Sequence, residues 1–224
     1  MKTQKQQIRF LMASLLALVT FMACNKDDGG DPIPQPAIDE AIGIADLQIQ
    51  DAGLARVENL DPRNPSGSAA PTHVNYAVSL VNTDLVEVQF GESTFFQIDE
   101  NDPSNVLIAV AFNIYSPIVT FGGGATANVL GGANERTFRL ETFENRTQIG
   151  AEEYFFSGAA LAILDRNDAA NIRAYMVTEG TVTVSGSLPN LTFTFDLTFF
   201  DDVRNLTSTL TGSVTPSFRV IEND

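Results

Sequence analysis

The sequence predicts an all-β fold: an antiparallel β-sandwich or partly open barrel of roughly eight to ten strands. Three observations carry that expectation. Leu191, Phe193, Phe195, Leu197 and Phe199 alternate strictly with Thr192, Thr194, Asp196 and Thr198, the period of a strand with one face in a core. The run VLIAVAFNIY from Val106 to Tyr115 is apolar on both faces, as a strand covered twice would be. Turn-forming clusters, among them Asn82-Thr83-Asp84, SGSLPN (185–190) and DDVRN (201–205), separate such segments at short intervals.

Residues 25–37, NKDDGGDPIPQPA, mix acids, Gly and Pro, a composition that buries no apolar area and reads as an extended tether. One domain is expected over 38–224. Ile42 to Gln50 alternates weakly and reads as a first strand, and Asp61 to Thr72 as a loop. From His73 the pattern sharpens: Val74, Tyr76, Val78 and Leu80 face one way and His73, Asn75, Ala77 and Ser79 the other. Val86, Val88 and Phe90 repeat the pattern, so a hairpin is expected across Asn82 to Asp84. Ser93 to Ile98 and the 106–115 run follow, with Ile118 to Phe121 extending the latter beyond Pro117. GGGATANVLGG (122–132) is too Gly-rich for an element and reads as a surface loop. Further strands are expected over 137–143, 153–164, 173–185, 191–200 and 206–215, although the alanines of 159–164 also fit a short helix; the last three are expected as antiparallel neighbours with Leu210, Gly212 and Val214 facing in.

The N-terminus carries an address. Lys2, Lys5 and Arg9 precede thirteen nearly all-apolar residues, Phe10 to Met22, the length of a signal-peptide core and short of the ~20 that span a bilayer. Phe21-Met22-Ala23 then lead into Cys24, the single cysteine of the chain. A small residue followed by cysteine resembles the lipobox of bacterial lipoproteins, which implies removal of 1–23 and acylation of Cys24 on sulfur and on its new amino group. An ordinary secretory signal beside a free buried cysteine is the other reading. Lys26-Asp27-Asp28 is similar to the export signal that places Bacteroidota lipoproteins on the outer face of the outer membrane; a plain acidic spacer is its alternative. The segment 175–214 also looks like the C-terminal half of uncharacterised lipoproteins of that group, with a GxVxVSG strand, a TFDLT strand and a return strand ending in TG. That likeness implies a β fold and a surface location and brings no activity to any residue.

Composition bounds the chemistry. Removing 1–23 takes away three cations and moves the formal net charge from −15 to −18, which repels phosphate backbones, so no nucleic acid is expected as partner. With Cys24 lipidated, no thiol is left for disulfides, zinc or catalysis. The single histidine, His73, reads as an exposed strand-end residue without the nucleophile and acid of a triad. Glu152-Glu153 and Asp201-Asp202 are adjacent, so along a strand they point to opposite faces and make no facing acid-base pair. No catalytic residue is assigned.

Asp99 and Asp102, and Asp165 and Asp168, lie in loops with oxygen ligands of the kind calcium takes; Asx turns are the competing reading. No other cofactor is expected. Trp is absent, leaving Tyr115, Tyr154 and Tyr175 as platforms for a glycan. Threonine rows (181 and 183; 192, 194 and 198; 207, 209 and 211) read as a solvated sheet face or a flat hydroxyl surface for a repeating ligand. Asn145, Asn190 and Asn205 open Asn-x-Thr triplets, which mean little in a bacterium. The expected function is a lipid-anchored, non-enzymatic module binding an outer-membrane protein or an extracellular ligand, probed against two alternatives: a carboxylate-based accessory glycan hydrolase and a structural envelope or adhesin component.

Overall fold

The computed structural model describes residues 41–63, 70–99, 101–121, 125–128, 132–141, 148–167, 173–201 and 206–222. The signal segment, Cys24, Lys26, Asp27, Asp28 and the tether lie outside them, as do Asp168, Asp202, Asn145 and Asn205. The described chain is nearly all β. In order come β1 (Ile42–Gly43), a 3₁₀ turn (Ile44–Leu47), β2 (Asp51–Leu60), β3 (His73–Val81), β4 (Leu85–Phe90), β5 (Ser93–Ile98) and β6 (Val106–Phe121). Then follow β7 (Ala125–Asn128), β8 (Gly132–Leu140), β9 (Phe155–Asp165), β10 (Arg173–Ser187), β11 (Asn190–Asp201), β12 (Leu206–Val214) and β13 (Phe218–Ile221).

The main sheet runs β1-β12-β11-β10-β8-β9-β6-β3-β2-β13, with β7 paired to the end of β6 and β4-β5 forming a small sheet of their own. One short connection dictates its curl. Laid flat, β12 and β13 would stand ~38 Å apart across eight strand spacings. The link from Val214 to Phe218 spans at most ~15 Å of chain. The sheet therefore rolls into a half-barrel, which sets Phe193 of β11 against Phe218 of β13 at 5.1 Å between ring centroids and lets Phe218 N–H donate to the Pro189 carbonyl at 2.8 Å.

Inside the roll lies the main core. Phe112 of β6 stands edge-on to Phe156, Phe193 and Phe195, so one ring joins three strands. The alternation read from 191–199 holds: Leu191, Phe193, Phe195, Leu197 and Phe199 are buried, and Thr194 and Asp196 are exposed. Strand β10 bulges between Val177 and Glu179, and Gly180 beyond the bulge has φ +122°, with space for a Cβ blocked 2.1 Å away by the Asp196 carbonyl.

Of the two predicted architectures the half-barrel is the one formed, and it is mixed. Parallel pairs close both edges, β1 with β12 and β13 with β2, and a third joins β8 to β9. Three expectations are corrected and one strand is added. Ile42 to Gln50 is not one strand: Ile44 and Leu47, three apart, are both buried by a 3₁₀ turn, the Asp46 carboxylate accepts from Gly43 N–H at 3.2 Å, and Gln48 ends it at φ 50°. Strand β2 was not anticipated, because DAGLARVENL is rich in small and charged residues. No hairpin joins β3 to β4. Both edges of β3 are taken by β2 and β6, and Asn82 turns the chain out of the sheet by accepting from Ile108 N–H (2.7 Å) and donating to the Val106 carbonyl (3.0 Å). Finally, 122–132 is not all loop, since Ala125–Asn128 pairs back onto Ile118–Phe121 as β7.

Candidate functional site

Freed from β3, the chain builds an arm. A two-residue turn with Gly91 at φ 65° joins β4 to β5, the type II′ geometry that suits strand twist. At its base Leu85 and Ile98 pack with Val81, Leu107, Ala109 and Leu164 on the outer face of the main sheet, which explains why Val106–Tyr115 is apolar on both sides. Phe96 lies where a side chain on Gly53 would be: a Cβ there would stand 2.3 Å from its ring. Above that ring sits the Arg219 guanidinium, 4.9 Å from the centroid. Arg219 also bonds Asp51 at 2.5 Å and donates to the Leu85 carbonyl, while Asp51 accepts from Leu85 N–H at 2.9 Å. Clamped there, the arm projects. Val86, Val88 and Phe90, expected to face a core, are 36, 37 and 66% exposed.

Alternation alone does not reveal this site, because the apolar period of β4 reads as burial while Val86, Val88 and Phe90 are exposed. Both edges of β3 are occupied by β2 and β6, so the alternating β4 has no place beside it in the main sheet.

The two acidic loops do come together. The Arg166 amide donates to the Asn105 carbonyl at 2.8 Å, and its guanidinium reaches the carbonyl of Asp102. Their carboxylates cap their own turns, and Asp102 also reaches Thr83: Asp99 accepts from Asn101 N–H (2.9 Å), Asp102 from Ser104 N–H (2.7 Å) and the Thr83 hydroxyl, Asp165 from Asn167 N–H (2.9 Å). The Ser104 bonds, then that of Thr83, hold the Asp102 carboxyl down at about 2. Among the described residues no three acidic, histidine or cysteine side chains converge as a metal site would require.

His73 is not exposed. It is buried on the outer face, edge-on to Phe155, which stacks on Tyr115 at 4.3 Å. The segment 148–155 covers it. Its Nε2 lies 2.8 Å from the Glu153 carbonyl, which only accepts, so Nε2 carries the proton and Nδ1 accepts from the Thr72 hydroxyl at 2.9 Å. Burial depresses its pKa, and the bond to the Glu153 carbonyl, followed by the charge of Asp61, which is bonded to Arg63 at 3.0 Å, opposes that only in part. With both nitrogens engaged, His73 fastens β3 to the covering loop.

Tyr115 and Tyr175 are likewise buried, and Tyr154 is half-buried with its hydroxyl accepting from Arg136 at 3.0 Å, so none is a free glycan platform. A cleft of about 270 Å³ is lined by Arg139, Glu141, Gln148, Ile149 and Glu153. Glu153 there accepts from Gly150 N–H at 3.0 Å and faces Arg139 at 3.6 Å, while Glu152 is exposed. The threonines form rows across strands: Thr137, Thr183, Thr194 and Ser213 are successive partners in β8, β10, β11 and β12, with Thr137 and Thr183 hydroxyls 3.2 Å apart and those of Thr194 and Ser213 2.7 Å apart. They satisfy one another. Comparison with known proteins found no matching family model, no similar curated protein and no similar solved structure.

Proposed function

We propose that this chain is a lipid-anchored binding or assembly module of the outer membrane, held at Cys24, carried outward by the Lys26-Asp27-Asp28 signal and presenting its β domain to a protein partner outside the cell. The observation that carries the binding role is the arm: a two-stranded projection on which Val86 and Val88 stay more than one-third exposed, built on a base of specific contacts rather than left as a loop. Ordering such a projection and exposing apolar side chains on it both oppose stability, and a docking partner that covers those side chains recovers the loss. The rest of the domain supplies a rigid support.

Photo-crosslinking in living cells tests this. A photoreactive residue at Val88 is expected to trap one discrete protein, and the same residue at Thr194, on the self-bonded threonine face, to trap none. No discrete product from Val88, or the same products from both positions, would contradict the reading.

A further inference from the structure

We propose that the outer edge of β4 takes up an extended polypeptide segment in which apolar and basic side chains alternate. The proposal rests on the binding reading above and names the partner's chemistry.

The backbone geometry comes first. In a two-residue hairpin the flanking residues, here Phe90 and Ser93, bond to each other, and bonded and non-bonded pairs then alternate along the ladder. That phase turns Phe90, Val88 and Val86 toward β5 and sends the N–H and C=O of Leu85, Glu87 and Gln89 to the opposite side. Leu85 verifies it, since its outward N–H meets Asp51 and its outward C=O meets Arg219. Past that clamp the outward backbone groups of Glu87 and Gln89 have no partner among the described residues. They are ~6.8 Å apart, the repeat a docked strand matches with every second residue.

Side chains then set the sequence of the guest. A strand added beside β4 lays alternate residues next to Val86 and Val88 on one face and next to Glu87 on the other. The first set is apolar. Charge decides the second: residues 82–99 hold Asp84, Glu87, Glu92 and Asp99 and no lysine or arginine. A second copy of this chain, with formal charge −15, would bring the same sign, and so would an anionic membrane surface. Exposed edges are usually guarded by lysine or proline. Glutamate in that place turns away acidic strands and admits basic ones.

The test uses the purified full chain in mild detergent and dye-labelled, end-capped heptapeptides read by fluorescence anisotropy. One alternates Val and Arg, one alternates Val and Glu, and one has the Val and Arg residues in separate blocks. The alternating basic peptide is expected to bind about tenfold or more tighter than either control, and to weaken about tenfold between roughly 0.05 and 0.5 M salt. Gln89→Pro removes an outward N–H without touching the β4-β5 ladder and is expected to cut binding about tenfold. Glu87→Arg is expected to transfer the preference to the acidic peptide.

Equal binding of the blocked peptide, or unchanged binding by both variants, overturns the proposal. So does a wild-type dimer that Gln89→Pro dissociates, which would make the occupant a second copy. If these results arise while Val88 still crosslinks one protein in cells, the binding role stands and edge pairing falls. If the peptide binds but nothing is trapped in cells, it is the binding role that falls.

Discussion

Phe195 and Thr194 are neighbours in the chain and opposites in environment, so the pair tests the strand phase. Phe195 is 2% exposed and meets Phe112 at 6.0 Å, while Thr194 faces solvent and bonds Ser213. Phe195→Asp loses the ~3–5 kcal/mol of a large core truncation and adds an unpaired buried charge, enough to abolish folding of a domain of ordinary stability. Thr194→Ala is expected to shift stability by no more than ~0.5 kcal/mol. Equal tolerance in a urea melt would refute the phase. His73 gives a pH-dependent prediction. Its folded pKa is depressed by burial, so between the unfolded value of ~6.5 and the lower folded value the unfolded chain binds more protons. Stability is therefore fully present above ~6.5 and falls as pH drops through that window. His73→Phe should flatten this part of the stability-pH curve while leaving the carboxylate-driven loss at lower pH; an unchanged slope would mean His73 is not the titrating group.

The arm is the element whose attachment can be tested separately from the barrel. Arg219→Ala removes the bonds to Asp51 and the Leu85 carbonyl together with the cover over Phe96, and Gly53→Ala drives a methyl into the Phe96 ring. Both should raise amide exchange in 85–98 by about tenfold or more, with smaller changes in β10 and β11, because local opening there does not require the main core to part. Uniform change across the sheet would make the arm an integral part of the barrel. The same element marks the limit of sequence reading. Strands β3, β6 and the β10-β11-β12 meander were legible because long alternating or apolar runs leave one solution, whereas the alanines of β9 fit a helix as well and only its β neighbours decide for a strand. The docking of β4-β5, the small-residue strand β2, the parallel edges and the burial of His73 were not, since each depends on what packs from a distant part of the chain: Phe96 over Gly53, β13 beside β2, residues 148–155 over His73. The chemistry of the acidic loops was half legible, as their residue types fit calcium and Asx turns alike and the Asx turns show only in the bond directions.

In the molecule as a whole, the proposed function needs a curled β domain carried on a lipid anchor at Cys24. Among the described residues no helix is long and apolar enough to cross a membrane. If Cys24 is the anchor, Cys24→Ala should lose incorporation of labelled palmitate and leave an uncleaved precursor or a soluble form; retained label would place the acyl chains elsewhere. Three acyl chains on Cys24 would exceed what stable attachment needs, at ~0.8 kcal/mol per buried methylene. The most direct test of the central claim, a binding domain facing outward, is digestion of intact cells with a protease of broad specificity. Wild type should be shaved from the surface, while the form with Lys26, Asp27 and Asp28 all replaced by Ala should keep its lipid and membrane amount but be protected. Protection of the wild-type domain until the cells are lysed would contradict the account and place the domain inside the envelope.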